Sequence, residues 1–423
     1  MKIGIYCPYA LGEPGGVKEH VFGLYREFKK RGHQVKILAP KTRKKLQGRD
    51  FIYLGSSSKM PTFTGSWGRA GAAFGEQKEA MKRILEKEKF DLLHLHEVAV
   101  PLLHWQLISA FAKPIIVTFH CVFDRNSVAG QVFITTERIL RWFHGKKIKG
   151  VIAVSEPAKK TRWEFFGPDR LNTIIPNGIE VSRFKQKIKR EDREMRILYV
   201  GRIEKRKGLI YLLDAFRELA EEFPKLRLWV VGSGPLVLKD KFFVKEKGLS
   251  KKVKFFGTVG DREIIKIYSQ VDIFCSPAWA NESFGIILLE AMATGLPIVA
   301  FANSGYQAVL KNYPWQKALV EPKNVQGLAD SLREQIKDEK LRKELGKWGL
   351  EEVKQYDWQI IAEKVLAFYK KVLGRGGRIP LRGKLTASPP KIPVGDVRFE
   401  LTTSRSRTVR ATAAPIPESV PLG

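Results

Sequence analysis

Short runs rich in Ile, Val and Leu alternate with helix-period segments along most of this chain, in two separate series. That alternation constrains the fold more than any single motif, because strands interleaved with helices pair in parallel and carry helices on both faces. The first series opens at residues 3–6, passes through a Gly/Pro loop and enters a helix expected near 16–31. Val17, Val21, Leu24, Tyr25 and Phe28 fall on one face of that helix, and Gly32 stands where it should stop. Further strands are expected at 34–39, 92–95, 115–119 and 150–154. The second series follows the sequence P-N-G at 176–178 and the charged run 185–196. It predicts strands at 197–201, 226–232, 253–257, 272–276 and 297–301, and helices at 208–222, 261–270 and 285–294. The expected architecture is therefore α/β, with two doubly wound domains and a polar linker near 180–195. Ligands in such sheets sit at the carboxyl ends of the strands, so the cleft between two facing sheets is the expected site.

Residues 374–423 behave differently. They hold seven prolines and nine basic against three acidic side chains, and no apolar period persists. This stretch reads as a disordered basic extension and is left out of the fold. Over the whole chain the balance of 44% apolar and 28% charged residues is that of a soluble globular protein. No apolar run approaches the ~18 residues that span a bilayer. The opening M-K-I-G-I-Y-C-P-Y is too short in apolar residues for a signal peptide, so a cytoplasmic protein is expected. Cys7, Cys121 and Cys275 form no C-x-x-C pair and read as small buried hydrophobes. The formal charge of +31 favours anionic partners. With no recognised nucleic-acid motif among the basic residues, nucleic acid is not one of them.

Four constellations carry chemistry. In E-P-G-G-V-K-E-H (13–20), Gly15 and Gly16 open a helix directly after the first strand. Free N–H groups and the helix dipole make such a terminus an anion site, and glycine lets a phosphate approach the backbone. The pattern is not G-x-G-x-x-G, so no dinucleotide fingerprint is present. In G-R-I-E-K-R-K-G (201–208), Arg202 follows a strand end and Lys207 lies at a helix start. A planar guanidinium and a point-charge ammonium there suit a diphosphate, while Lys205 and Arg206 read as a solvated basic loop. In N-E-S-F-G-I-I-L-L-E-A-M-A-T-G (281–295), Glu282 sits at a helix entrance and Glu290 eight residues on, between apolar flanks that argue for burial. Eight residues at helical rise span about 12 Å, roughly the reach from a hexose to the ribose of a sugar nucleotide. Carboxylates suit such hydroxyls because they accept several hydrogen bonds. The fourth is T-F-H, with His120 at the carboxyl end of an apolar strand. His94 and His96 alternate on another strand, but two ligands without a third make a poor metal site.

Together these segments resemble glycosyltransferase family four, of the GT-B fold, and within it the bacterial phosphatidyl-myo-inositol mannosyltransferases. The resemblance runs from residue 1 to about 373 and rests on I-G-I-Y-C-P-Y with P-G-G-V, F-D-L-L-H-L-H-E, V-T-F-H, I-A-V-S, I-P-N-G-I, G-R with R-K-G, and E-S-F-G-I-I-L-L-E-A-M-A-T-G. It implies a Rossmann-like acceptor domain over 1–180, a nucleotide-sugar donor domain over 181–356, and a helix at 357–373 that crosses back onto the first domain. Gly16 would contact the donor diphosphate, and Arg202 and Lys207 would neutralise it in place of a metal ion. Glu282 would hold sugar hydroxyls beside the backbone N–H groups of Ser283, Phe284 and Gly285, and Glu290 would bind the ribose. His120 would lie at the reacting centre. The implied activity is a retaining transfer of a hexose, with mannose from GDP-mannose as the expected donor, onto a membrane lipid such as phosphatidylinositol. The alternative is another nucleotide sugar with a polyprenyl-linked or soluble glycan acceptor. No essential metal or other cofactor is expected.

The acceptor would lie near Tyr9, His120 and Arg125. After His120 the chain reads C-V-F-D-R, where the mannosyltransferases carry a hydroxyl-rich run ending in lysine, so Arg125 keeps a positive charge and Asp124 adds a negative one. Residues 78–89 correspond to a basic amphipathic helix that would dock the enzyme peripherally on the inner face of the cell membrane. Lys78, Lys82 and Arg83 are its expected membrane contacts, interleaved with Glu79, Glu86 and Glu88.

Overall fold

The computed structural model describes residues 1–374 except 13–14, 43–44, 62–66, 98–101, 124–129, 162–170, 185–191 and single positions at 132–133, 136–137, 139–141, 143–144 and 193. The basic extension therefore lies outside the described residues, as does Arg125. The strands are β1 (Lys2–Tyr6), β2 (Gln34–Pro40), β3 (Phe51–Leu54), β4 (Ser56–Pro61), β5 (Trp67–Ala72), β6 (Leu92–His96), β7 (Ile115–Phe119), β8 (Ile148–Ala153), β9 (Leu171–Ile174), β10 (Met195–Val200), β11 (Leu226–Val231), β12 (Val253–Gly257), β13 (Ile273–Ser276), β14 (Ile298–Phe301) and β15 (Leu319–Val320). They form a seven-stranded sheet ordered β3-β2-β1-β6-β7-β8-β9, a six-stranded sheet ordered β12-β11-β10-β13-β14-β15, and the hairpin β4-β5. Every pairing in the two large sheets is parallel.

Both sheets are buried on both faces, which is why their strands read as apolar runs rather than as alternating ones. On β10, Ile197 and Tyr199 enter the core under one set of helices while Leu198 enters the core on the opposite face. In each sheet the strand order reverses beside the first strand of its series, β1 next to β6 and β10 next to β13. The loops after β1, β10 and β13 at those two switch points carry the glycine pair, the G-R-I-E-K-R-K-G segment and the E-x7-E element.

Among the helices, α1 (Gly16–Lys30) follows β1 and α2 (Glu76–Glu88) precedes β6. In the second half α3 (Leu209–Glu222) follows β10, α4 (Val237–Glu246) follows β11, α5 (Asp261–Tyr268) precedes β13 and α6 (Ile286–Ala293) follows it. The 17-residue helix α7 (Trp358–Gly374) buries Trp358, Ile361, Val365, Phe368, Tyr369 and Val372 in the core of the first sheet, not the second. Trp358 is seated because Gly23 of α1 has no side chain: a Cβ there would fall 2.1 Å from the indole Cε2. The backbone locks the crossing, with Trp358 N–H donating to Ile179 O at 3.1 Å and Ile179 N–H to Tyr356 O at 2.9 Å.

The predicted strands and helices form within one to three residues of their expected ends. Strands β3, β4, β5, β9 and β15 are not anticipated by the apolar pattern. They are edge or hairpin strands such as Leu-Asn-Thr-Ile, only two to six residues long. Helix α4, Leu-Lys-Asp-Lys-Phe-Phe in its middle, was likewise unread because its apolar residues do not keep one face. Among the described residues no helix is long and apolar enough to cross a membrane.

Candidate active site

The loop after β10 and the loop after β13 are stitched together. Trp279 N–H donates to Arg206 O at 3.0 Å, and its indole Nε1 donates to Lys205 O at 2.8 Å. This places the basic segment beside Glu282, whose side chain is only 10% exposed. Arg206 Nη1 and Lys207 Nζ both reach Glu282 Oε1 at 2.7 Å. Arg206 Nε also lies 2.8 Å from Glu204 Oε1 as an ion pair outside hydrogen-bond alignment. Arg206 is thus a half-buried bridge between two carboxylates, which corrects its reading as a solvated side chain. Lys205 is exposed, as that reading has it. A buried carboxylate needs such partners, and Glu282 takes the nearest two cations the chain offers.

Arg202 stands apart, with its side chain 53% exposed and its nearest carboxylate, Glu204 Oε2, at 3.5 Å. Its carbonyl accepts from Tyr199 OH at 3.0 Å, which fixes the loop but leaves the guanidinium facing solvent. Of the two cations expected on a diphosphate, Arg202 is the less committed and Lys207 is held by Glu282.

Ser283, Phe284 and Gly285 lead into α6. Gly285 caps that helix with φ at +99°, a conformation open to glycine, and a Cβ there would press to 2.6 Å from the Tyr306 ring. Phe284 is buried, and Ser283 O accepts from Ser155 Oγ of the I-A-V-S motif, a hydrogen bond from the first half to the second. Only 286–293 is helical, so the E-x7-E element is a loop carboxylate and a helix carboxylate rather than two points on one helix. The 12 Å helical estimate therefore applies only to its second half. Glu290, partly buried, accepts from Tyr268 OH at 2.9 Å. Burial pushes its carboxyl up to about 7 against the opposing pull of that hydrogen bond.

The first half presents Gly15 and Gly16 to the same place. Helix α1 starts at Gly16, and a Cβ built there would lie 3.3 Å from Ile286 Cδ1 on the first turn of α6. The starts of the two helices thus lie side by side. Tyr9 lies half-buried in the loop after β1, packed against the first core.

His120 follows β7 and is 7% exposed. Its backbone N–H donates to Glu97 Oε2 at 2.9 Å, and its Nε2 shares a hydrogen bond with His96 Nδ1 at 2.9 Å. The ring of His20, from α1, stands edge-on to it at 4.8 Å. His20 Nδ1 donates to Asn177 Oδ1 at 2.8 Å, which connects the P-N-G motif to this cluster. Burial drives His96 and His120 well below the ordinary histidine range and His20 down to about 4, so all three rings are neutral at pH 7. His94 takes a different path: its Nε2 meets Thr118 Oγ1 and its Nδ1 meets Tyr369 OH, each at 2.6 Å. Strand alternation put His94 and His96 on one face, but the fold separates a saturated core histidine from one that joins the cleft. His20 was missed. Its signal was its place four residues into a helix that begins at a phosphate-type glycine pair.

On α2, Lys78 and Arg83 are exposed, while Lys82 is half-buried and pairs with Glu79 at 2.9 Å. Phe74, just ahead of the helix, is 65% exposed.

A family profile described as "Glycosyltransferase Family 4" matches residues 14–183, and one described as "Glycosyl transferases group 1" matches residues 180–351. The chain is 33% identical over 386 residues to the phosphatidyl-myo-inositol mannosyltransferase of Mycobacterium tuberculosis, covering 90% of this chain and 99% of that relative. Sucrose-phosphate synthase from Thermosynechococcus elongatus superposes with a TM-score of 0.69 at 22% identity, covering 88% of this chain and 99% of its own. HepE of Anabaena, solved in complex with UDP, gives a TM-score of 0.68 at 17% identity over 88% and 100%. At those identities the two structures speak to the fold, which is GT-B: two Rossmann-like halves, each a parallel sheet wrapped by helices.

Proposed function

This chain belongs to glycosyltransferase family 4, and on that premise we propose that it moves mannose from GDP-mannose onto a membrane lipid of the phosphatidylinositol class, with retention at the anomeric carbon. The observation that carries the reading is the meeting of Gly16 with Ile286, which sets the first half's glycine helix start against the sugar-side loop of the second. On this reading the nucleotide sugar lies beside that contact, along the edge where the two halves meet. Glu290 takes the ribose, Glu282 the hexose hydroxyls, and the N-terminus of α1 with Arg202 and Lys207 the diphosphate.

The acceptor hydroxyl attacks the anomeric carbon from the side the diphosphate leaves. As the bond from that carbon to the β-phosphate oxygen breaks, the acceptor proton passes to the departing phosphate. No protein nucleophile is needed. Charge accumulates on the diphosphate, so fixed cations and backbone dipoles supply most of the rate. Arg202, exposed and only loosely paired with Glu204, takes that role from the outset. Lys207 turns to it as sugar hydroxyls replace its contact with Glu282. His120, neutral and buried, offers the sugar a hydrogen bond without adding charge.

The lipid acceptor rests on the named relative and on the exposed Phe74, Lys78 and Arg83 in α2 and just ahead of it. The sequence C-V-F-D-R after His120 favours a second reading, in which the same donor chemistry serves a different phosphorylated or soluble glycan acceptor. Donor choice is tested by calorimetric titration with GDP, GDP-mannose, UDP and UDP-glucose. Tighter binding of the guanine pair, with Glu282→Gln weakening GDP-mannose but not GDP, is the expected result. Preference for the uracil pair would remove GDP-mannose from the account.

A further inference from the structure

The histidines of the first half do more than frame His120. His20, His96 and His120 each bring a ring nitrogen within 4.8 Å of the other two, and all three are buried. The fold assembles them from separate elements. His96 ends β6, His120 follows the neighbouring parallel strand β7, and His20 comes from α1, which follows the strand on the other side of β6. We propose that this triad is a binding site for a borderline-soft divalent transition ion of the Zn²⁺ class, and that its occupation switches the transferase off.

Three observations converge. First, the donor set is all imidazole, which suits zinc-like ions and not Mg²⁺ or Ca²⁺, whose ligands are oxygens. Second, His96 Nε2 is fully buried and has no hydrogen-bond partner, although nearly all buried polar atoms in proteins find one. Either tautomer of the His96–His120 pair leaves that nitrogen unsatisfied. An ion bound through His96 Nε2 supplies that nitrogen's missing partner. Third, the outer shell is already in place. Asn177 fixes the His20 proton on Nδ1 and leaves Nε2 as a lone pair. Metal-bound histidines are held by partners of this kind. Glu97, 1% exposed and bonded to the His120 backbone, supplies a nearby carboxylate against the ion's charge.

The spacing is close to what is needed. Nitrogens around a tetrahedral ion with bonds of ~2.0–2.1 Å lie roughly 3.3 Å apart. Here each residue brings a ring nitrogen within 4.8 Å of the others, so ring rotation closes the set. The diphosphate is served by Arg202 and Lys207 elsewhere, so this ion is not its counter-charge. It engages His120 instead, and withdraws from the sugar the side chain placed at the reacting centre. That consequence rests on the proposed function, whereas the binding itself does not.

The test uses the full chain freed of metal by chelation. Titration with Co²⁺ should raise the visible ligand-field bands of a four-coordinate ion at one equivalent, and Zn²⁺ should abolish them. His96→Ala and the more conservative His20→Gln should each lose those bands while retaining the wild-type circular dichroism. Asn177→Ala should weaken Zn²⁺ binding by about 10–100-fold, as expected for loss of an outer-shell partner. His33→Ala, outside the cluster, should bind as wild type does. Absence of one-equivalent binding by the folded wild type overturns the proposal. So does binding that survives both triad substitutions and disappears when the three cysteines are alkylated. If Zn²⁺ binds to the triad and sugar transfer in chelator proceeds at the same rate as with Zn²⁺, the site stands and the switch is wrong. If the triad binds Zn²⁺ but no nucleotide sugar is ever turned over, the proposed function fails and the site remains.

Discussion

Replacing Arg206 by Met keeps the length of the side chain and removes its charge. Arg206 and Lys207 both touch Glu282 Oε1 at 2.7 Å, and Arg206 also faces Glu204 at 2.8 Å. Its loss leaves Glu282 with one cation and Glu204 with only Arg202, 3.5 Å away. A charge-assisted hydrogen bond between partly buried groups contributes about 1.5–3 kcal/mol, so the folded state should lose roughly that much. The three cations and two carboxylates of this loop become two and two. Arg202 and Lys207 are then bound to carboxylates rather than available to a diphosphate, and kcat/KM should fall by ~10–100-fold, equivalent to ~1.4–2.8 kcal/mol. A double-mutant cycle with Glu282→Gln, followed by urea denaturation, isolates the contact. Once Glu282 is neutral, Arg206→Met should cost less by roughly 1–2 kcal/mol. Costs that add to within ~0.5 kcal/mol would show that Arg206 does not act through Glu282 and would refute the bridge.

Other perturbations read other parts of the site. Arg202→Ala or Lys207→Ala should reduce kcat/KM by ~2–4 kcal/mol equivalent, since each charge acts most as the diphosphate leaves; steady-state kinetics giving a change only in KM would count against that role. Glu290 is neutral below its folded pKa of about 7 and accepts ribose hydroxyls better when ionised, so donor affinity should rise as pH increases from 6 to 8. Tyr268→Phe removes the hydrogen bond that holds this pKa down, so the same rise should move to higher pH; an unmoved profile would exclude Glu290 as its source. Because the folded pKa is raised, the associated stability is full below the usual carboxyl value and declines as pH climbs through about 7, which urea denaturation across that window would detect. Trp358→Ala should cost about 3–5 kcal/mol by emptying the seat against Gly23, and limited proteolysis should then cut near α7; unchanged stability would mean the helix is held by its other contacts. Lys78, Lys82 and Arg83 changed together to Gln should weaken flotation with anionic vesicles, and Lys82 should matter least because Glu79 already holds it; equal binding to neutral and anionic vesicles would remove α2 as the docking face.

The parallel sheets were readable in the sequence because strands buried on both faces are written as continuous apolar runs. Ile197, Leu198 and Tyr199 are all buried, and no other element type suits so short a run between helices. The edge strand β9 was not, since Asn172 and Thr173 break its apolar pattern and its pairing to β8 is settled by tertiary contact. At the candidate site, the positions of Gly16, His120, Lys207 and Glu282 beside a strand end or helix start were legible. Arg206 was not, because one basic residue in K-R-K looks like another until the Trp279 hydrogen bonds turn the loop over Glu282. Neither was the His20–His96–His120 cluster, whose members are 24 to 100 residues apart and meet only through the parallel order of β1, β6 and β7.

The most direct measurement of the central reading follows radiolabelled mannose from GDP-mannose into vesicles that contain phosphatidylinositol, with the purified chain kept in chelator. The account predicts label that extracts with the lipid, an α-linked product by NMR, and loss of transfer in Glu282→Gln with GDP binding retained. Label that stays in water in the presence of the vesicles, while the folded protein transfers a sugar to a soluble acceptor, would contradict the lipid acceptor; transfer undiminished in Glu282→Gln would contradict the site itself.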